Sequence, residues 1–291
     1  MNATFAGVLT GGLFVGASAL VFVFGSSYYT LFRTNKSWLF KIALVVAFAI
    51  AAWLATRSDL DSAYGLLAIA FLAAAAANVL GAAGAKLHRP FKLKDDSIHG
   101  IALAKGLEAI VVVGTILVLL LVARVPFASI YLQAGRLGLG LAIGLGGFAL
   151  FATVATLQAR SMKIDRGTFR RLLPAILVFI IANAFMEELW FRALFLRPLV
   201  SLIGPIAAIG LTAAIFALAH IGVSYMSKDE RVRFLITLFP LGLVWAACVH
   251  FTDSLIASTL FHAGADLMVV NGFIAALHGP DRSEDGLRDD L

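Results

Sequence analysis

The sequence is short of charge and of cysteine. Only 14% of its 291 residues are charged and 61% are hydrophobic, with a mean hydropathy of +0.95. Since a soluble domain carries roughly a quarter charged residues, the composition excludes an ordinary soluble protein and indicates a polytopic membrane protein. The single cysteine, Cys248, lies in an apolar run, which excludes a disulfide framework and a cysteine-based metal site.

The N-terminus also lacks basic residues. Residues 1–7 run directly into an apolar segment, whereas a secretory signal peptide begins with a positively charged region. We therefore predict that the first segment stays in the protein as a membrane helix. The net charge of +6 could suit nucleic acid, but the basic residues lie in short loops between apolar runs, a pattern typical of topology signals. We expect a lipid bilayer as partner and no nucleic acid.

Hydropathy predicts an all-α bundle of about nine membrane spans, or eight to nine when boundaries are uncertain. The segments lie near residues 5–31, 38–56, 64–84, 101–122, 138–157, 172–196, 205–224, 234–251 and 254–277. Lys105 and Glu108 are three residues apart in the fourth span, which favours a local ion pair. Gly140 and Gly144 form a GxxxG pattern that we attribute to close helix packing within the bundle.

The basic residues of alternate loops predict the orientation. Those of one side are Arg33, Lys36, Lys86, Arg89, Lys92, Lys94, Arg160, Lys163, Arg166, Arg170, Arg171, Lys228, Arg231, Arg233, Arg282 and Arg288, and those of the other are Arg57, Arg124, Arg136 and Arg197. An excess of Lys and Arg marks the cytoplasmic side. The N-terminus is therefore predicted outside and the C-terminus in the cytoplasm. The acidic residues 278–291 are expected to form a disordered tail.

Ionisable residues inside the membrane are costly and usually functional, and here they concentrate in the last four spans. The polar residues concerned are Asn183, Glu187, Glu188 and Arg192 in the sixth span, His220 in the seventh, and His262 and Asp266 in the ninth. Glu188 and Arg192 are four apart, which predicts a buried ion pair and leaves Glu187 as the free carboxylate. Asn183 lies one turn before Glu187 and could hydrogen-bond to it.

Helix rise allows several of these groups to meet. Counted from the turn near residues 201–205, Glu187 and His220 lie about 16 and about 17 residues away, so at about 1.5 Å per residue they are nearly level. The same reasoning puts His220 and His262 within a few ångström of each other in depth. Glu187, His220, His262 and Asp266 can therefore converge on one cavity.

The same residues fall into three ordered motifs. Residues 187–192 (EELWFR) fit EExxxR, residues 216–220 (FALAH) fit FxxxH, and residues 262–266 (HAGAD) fit HxxxN/D. Across residues 172–277 this trio resembles the CPBP intramembrane proteases, also called the ABI family, whose eukaryotic relative is the type II CAAX prenyl endopeptidase. The HExxH, GxSG and GxGD motifs of other intramembrane proteases do not occur. Residues 1–171 are then N-terminal helices of unassigned role.

The resemblance implies an endopeptidase that cleaves peptides or membrane proteins in a prokaryotic plasma membrane. The prokaryotic relatives are associated with maturation or disposal of secreted peptides, including self-protection against bacteriocins, so a prenylated substrate is not implied. The residues that it places in the catalytic site are Glu187, Glu188, Arg192, His220, His262 and Asp266. Glu187 would activate the attacking water with the help of His220. His262 and Asp266 would stabilise the oxyanion or hold a metal.

Asp266 departs from the prenyl endopeptidases, which have asparagine there, although many prokaryotic relatives share the aspartate. An amide can donate a hydrogen bond to an oxyanion and an ionised carboxylate cannot. Asp266 would therefore stay protonated, orient His262 or bind a metal. With Glu187, His220 and His262 it would make a plausible zinc set. A metal-free glutamate mechanism is the alternative that we favour, because Glu187 cannot easily be both a tight ligand and a free base.

Two other classes of function remain open on the sequence. A proton- or ion-coupled transporter could use Glu187, His220 and Asp266 as a relay. Such a protein would lose its flux on substitution of Glu187 and would cut no peptide bond. A non-catalytic membrane scaffold could keep a degenerate protease core, but buried unpaired carboxylates would bring it no benefit.

Overall fold

A computed structural model describes residues 3–24, 36–57, 62–84, 97–221 and 228–278, and the regular elements in these ranges are all helical. The predicted all-α bundle is thereby confirmed. Of the predicted tail at 278–291, His278 is the last residue of α10, and residues 279–291 lie outside the described residues. The helices are α1 (Ala3–Ser18) with a π-helical extension (Ala19–Phe24), α2 (Lys36–Ala55), α3 (Ser62–Gly84), α4 (Ile98–Val122), a 3-10 turn (Phe127–Ile130), α5 (Leu137–Ser161), α6 (Arg166–Glu187) with a π-helical turn (Glu188–Ala193), α7 (Leu196–Ile203), α8 (Pro205–Ala219), α9 (Lys228–Thr252) and α10 (Ile256–His278).

Eight of the described segments are long and apolar enough to cross a membrane. The seventh predicted span differs, because α8 has only 15 residues and a crossing takes about 20. It starts after Gly204, whose φ of +82° favours glycine, and it ends at His220. The protein is thus a multi-pass membrane protein, and its described residues contain eight candidate spans and one shorter apolar helix. The orientation of its termini stays a prediction.

Helices α5 and α10 pack closely through glycines. A Cβ on Gly144 would lie 2.9 Å from Cβ of Leu260, and one on Gly264 would lie 2.7 Å from Cα of Phe148. Gly140, at the start of the GxxxG pattern, also faces α10, near Ala257. Only hydrogen fits at the approaches of Gly144 and Gly264, so packing inside the bundle accounts for Gly144, whereas a Cβ on Gly140 would make only ordinary contacts at 4.0 Å. This contact fixes α10 beside α5.

Helix α6 starts at a side-chain cap. Oδ2 of Asp165 accepts a hydrogen bond of 2.8 Å from the backbone N–H of Thr168, which satisfies one of the free N–H groups of the first turn. Hydrogen bonds from backbone N–H groups, of which that from Thr168 has the largest effect, hold the pKa of the Asp165 carboxyl below its usual value. The cap defines where α6 begins, about six turns before Glu187.

The N-terminal helices contact the segment that follows Glu187. The ring of Phe22, in the π-helical extension of α1, lies 5.7 Å from that of Trp190, 4.7 Å from Phe191 and 5.9 Å from Phe195 between ring centroids. Nδ2 of Asn78 on α3 donates to the carbonyl of Val21 at 2.7 Å. One hydrophobic cluster therefore joins α1 and α3 to the π-helical turn after α6.

The start of α10 is held by polar contacts with α7 and with the segment after the 3-10 turn. Arg197 on α7 forms an ion pair with Asp253 and its guanidinium lies 4.3 Å from the ring centre of Tyr131. Oγ of Ser254 donates to the carbonyl of Gln133 at 2.7 Å. Burial raises the pKa of the Tyr131 hydroxyl. These contacts join the 3-10 turn, α7 and the turn before α10.

Candidate catalytic site

The site begins where α6 changes to a π-helical turn after Glu187. The N–H of Leu194 bonds to the carbonyl of Leu189 at 3.3 Å, five residues back. Single π-helical turns of this kind occur frequently at functional sites. Neighbouring side chains on a regular helix point about 100° apart, yet here both adjacent glutamates face the same imidazole. Oε1 of Glu188 contacts Nδ1 of His262 at 2.8 Å, and Oε2 of Glu187 lies 3.6 Å from its Nε2.

Glu188 and Arg192 form the predicted ion pair. Nη1 of Arg192 lies 3.1 Å from Oε1 of Glu188, and both side chains are 0% exposed. None of the three guanidinium nitrogens makes a hydrogen bond to a described residue, so the attraction is electrostatic. The guanidinium also lies over the ring of Phe216, 3.9 Å from its centre, a favourable position for a cation.

His262 is held on three sides. Its Nδ1 bonds to Glu188 at 2.8 Å, and Trp245 on α9 stacks on its ring with centroids 4.0 Å apart and planes 11° apart. Its Nε2 points towards Glu187 and lies 3.7 Å from Oδ1 of Asp266. Since a carboxylate only accepts, Nδ1 is the donor to Glu188. In the neutral ring, Nε2 therefore carries the lone pair.

His220 directly follows α8, and its ring faces the carboxylate of Glu187. Its Nδ1 lies 2.8 Å from the carbonyl oxygen of Phe216. A carbonyl only accepts, so Nδ1 carries the proton and Nε2 has the free lone pair when the ring is neutral. That Nε2 lies 3.8 Å from Oε2 of Glu187. The lone pair of His220 is thus directed at Glu187.

Asp266 has a partner that the sequence reasoning assigned differently. Nδ2 of Asn183 donates to Oδ2 of Asp266 at 3.0 Å, so the expectation that Asn183 bonds to Glu187 was wrong. Helix α6 packs on α10, and this turns the amide towards a buried carboxylate of another helix, where a charge-assisted hydrogen bond forms. Asp266 lies on the Nε2 side of His262, and the Nδ1 side belongs to Glu188.

The structure brings together the four groups that helix rise allowed to meet. The separations of 3.6 to 3.8 Å among Glu187, His220, His262 and Asp266 exceed a direct hydrogen bond and suit a bridging water. Among the described residues, no group of three or more His, Cys, Asp or Glu side chains is arranged to hold a metal ion. As they are placed, Glu187, His220, His262 and Asp266 therefore do not form a zinc site.

Two residues near the site were not assigned to it from the sequence. Lys105 on α4 forms the predicted ion pair with Glu108 at 2.8 Å, but its charge also acts on Glu187 and Asp266. Trp245 stacks on His262 without belonging to any motif. No sequence signal marks either role, because each depends on which face of α4 or α9 is turned inwards.

The fold and this cluster define a multi-pass helical membrane protein with carboxylates and histidines buried among its last helices. Residues 169–268 match the family model of the Rce1-like proteins, described as type II CAAX prenyl endopeptidase Rce1-like. The matched segment runs from the first turn of α6 into α10 and contains the EExxxR, FxxxH and HxxxN/D motifs. This match agrees with the resemblance to the CPBP family that the three motifs indicated. No curated protein and no solved structure matches the chain.

Proposed function

We propose that the protein is an intramembrane endopeptidase, similar to CAAX proteases, in which Glu187 activates water for attack on a peptide bond. One observation carries the proposal: Oε2 of Glu187 lies 3.8 Å from Nε2 of His220 and 3.6 Å from Nε2 of His262. A water between Oε2 of Glu187 and Nε2 of His220 can donate a hydrogen bond to each of these acceptors, which leaves an oxygen lone pair for the attack. The match of residues 169–268 to a peptidase family supports the same chemistry.

The reaction then follows the geometry of Glu187 and His220. A water held between them donates one hydrogen to Oε2 of Glu187 and the other to Nε2 of His220. As the water oxygen bonds to the carbonyl carbon, Glu187 takes one proton, and the tetrahedral intermediate forms. When the C–N bond breaks, Glu187 returns this proton to the leaving amine. The second proton of the water passes to Nε2 of His220, so the products are a carboxylate and an amine.

His262 is the proposed donor to the oxyanion. When both ring nitrogens carry protons, Nδ1–H donates to Glu188 and Nε2–H is directed into the cavity. Asp266 lies near Nε2 and receives the amide of Asn183, so it adds negative charge that stabilises the imidazolium. A donor of this kind contributes about 2.7–4 kcal/mol to transition-state stabilisation. Glu188 and Arg192 keep the ring in place.

The proposed substrates are peptides or membrane-protein segments that reach the cavity from the bilayer. Glu187 lies on α6, and His262 and Asp266 lie on α10, within an apolar bundle. An extended segment would therefore enter between helices. Asp266 in the HxxxN/D motif is shared with many prokaryotic relatives, which supports a prokaryotic plasma membrane as the location.

The test is cleavage by the purified full chain in detergent. A library of internally quenched peptides with apolar segments is incubated with wild type, Glu187→Gln and His262→Ala. Asp165→Asn, the same carboxylate-to-amide change outside the site, is the control. Loss of the general base should lower kcat by about 10²–10⁴-fold, and the control should cleave like wild type. Equal cleavage by all four proteins would refute the proposal.

Two further measurements separate the alternatives. A stoichiometric metal in wild type that is lost in His262→Ala would establish a zinc mechanism in place of the glutamate mechanism. Ion flux in proteoliposomes that Glu187→Gln abolishes, with no cleavage by wild type, would favour a transporter.

A further inference from the structure

Trp245 is buried between the ion pair and the imidazole of the site. It lies on α9, is 1% exposed, and stacks on His262 at 4.0 Å. Its ring centre is 5.4 Å from the guanidinium carbon of Arg192 and 5.7 Å from the ring of Phe216, edge to face. One side chain therefore contacts both the proposed oxyanion donor and the cation that balances Glu188.

The stack completes the restraint on the His262 ring. The torsion that rotates an imidazole about its Cβ–Cγ bond is broad, so a single hydrogen bond from Nδ1 to Glu188 leaves the ring free to tilt. The indole, at 11° to the imidazole plane, blocks tilting on one face, and the ring of Phe216 is nearly perpendicular to it at 5.9 Å. Together these contacts aim Nε2 at Glu187 and Asp266.

The polar atom of the indole takes no part in this arrangement. Nε1 of Trp245 is buried and makes no hydrogen bond to a described residue. Buried polar atoms are normally paired, and tryptophan in a core usually finds a partner for its N–H. The feature used at this position is therefore the flat face of the ring.

We propose that Trp245 is a positioning residue that holds the imidazole of His262 in its reactive orientation. This inference rests on the proposed endopeptidase reaction. A displacement of about 1 Å at a reacting group can lower the rate about 100-fold. Loss of the aromatic face should therefore reduce kcat far more than it changes KM, because His262 acts on the transition state and Trp245 does not touch the substrate.

The test compares Trp245→Phe with Trp245→Leu on the quenched peptide that wild type cleaves fastest. Phenylalanine keeps a flat face and leucine keeps only apolar bulk. We expect Trp245→Phe to retain most of kcat and Trp245→Leu to lose about 100-fold, both with nearly unchanged KM. Leu120→Ala, which opens a cavity at another fully buried position on α4, controls for general destabilisation and should keep the kcat of wild type.

A second measurement does not depend on cleavage. Diethyl pyrocarbonate modifies accessible imidazoles. Mass spectrometry gives the ratio of the modification rate of His262 to that of the more exposed His220. We expect the ratio to rise severalfold in Trp245→Leu and to stay near wild type in Trp245→Phe. Equal kcat and equal ratios in the two variants would overturn the role of Trp245. Absence of cleavage by wild type would instead contradict the proposed function, and the modification ratio would still decide whether Trp245 holds the ring.

Discussion

Replacement of Arg192 by methionine tests the buried ion pair that supports the site. Methionine keeps much of the side-chain length but removes the charge, so the carboxylate of Glu188 stays buried with Nδ1 of His262 as its remaining contact. Both members of the pair are 0% exposed and 3.1 Å apart. Solvent therefore cannot replace the lost cation.

The expected loss of stability is large. Removal of one partner from a buried ion pair costs about 3–5 kcal/mol, and part of that is the contact of the guanidinium with the ring of Phe216, worth about 2 kcal/mol when desolvated. At about 2–4 °C per kcal/mol for a chain of this size class, the melting temperature of Arg192→Met should fall by on the order of 10 °C.

The chain offers a matched control in a second arginine. Arg197 pairs with Asp253, but these side chains are 34% and 45% exposed, and an exposed pair contributes about 0–1 kcal/mol. Thermal unfolding in detergent, followed by intrinsic fluorescence, should therefore show a small shift for Arg197→Met. If Arg192→Met shifts the melting temperature no more than Arg197→Met does, the buried pair is not what stabilises this region.

A double variant separates stability from catalysis. Glu188→Gln together with Arg192→Met removes both charges, so most of the lost stability should return. Cleavage should stay below that of wild type, because a neutral amide holds Nδ1 of His262 less strongly than a carboxylate does. Full recovery of both properties would show that the charge of Glu188 has no catalytic effect.

Two further predictions concern the frame of the site. Gly264→Ala should lower the free energy of unfolding by about 1–3 kcal/mol, because the new methyl group overlaps the backbone of Phe148. The control is Gly272→Ala on the same helix, where a Cβ meets nothing within 4 Å, so it should be neutral or stabilising by up to about 1 kcal/mol. Equal melting temperatures of the two variants would contradict the close packing. The pKa of Asp165 is lowered in the folded state from 3.8, so its charged cap stabilises the fold above the unfolded pKa and loses this effect as the pH falls through the folded value. The stability difference between wild type and Asp165→Asn should therefore shrink on acidification below about pH 4, and an increase there would have the wrong sign.

Much of the bundle and the centre of the site followed from the sequence. Helices in a membrane have a fixed rise of about 1.5 Å per residue and ends set by the thickness of the bilayer. Depth can therefore be counted along the chain, and this counting was enough to bring Glu187, His220 and His262 to one level. The pair of Glu188 and Arg192 followed from spacing on a single helix.

The contacts between side chains of different helices could not be predicted from the sequence. Asn183 was assigned to Glu187 on its own helix, but the packing of α6 on α10 turns it to Asp266. The π-helical turn after Glu187 was not predicted either, because no residue pattern specifies a bond from one residue to the fifth before it. As a result, the second partner of Glu188, Nδ1 of His262, could only be seen in the structure.

The sequence by itself determined the class of protein, most of the long helices and the common level of Glu187, His220 and His262, because hydropathy and helix rise are local properties. The tertiary structure decided how each helix is rotated about its axis, since rotation depends on contacts with neighbours such as the glycine-mediated packing of α5 on α10. Rotation is what aims Asn183 at Asp266 and lays Trp245 flat on His262.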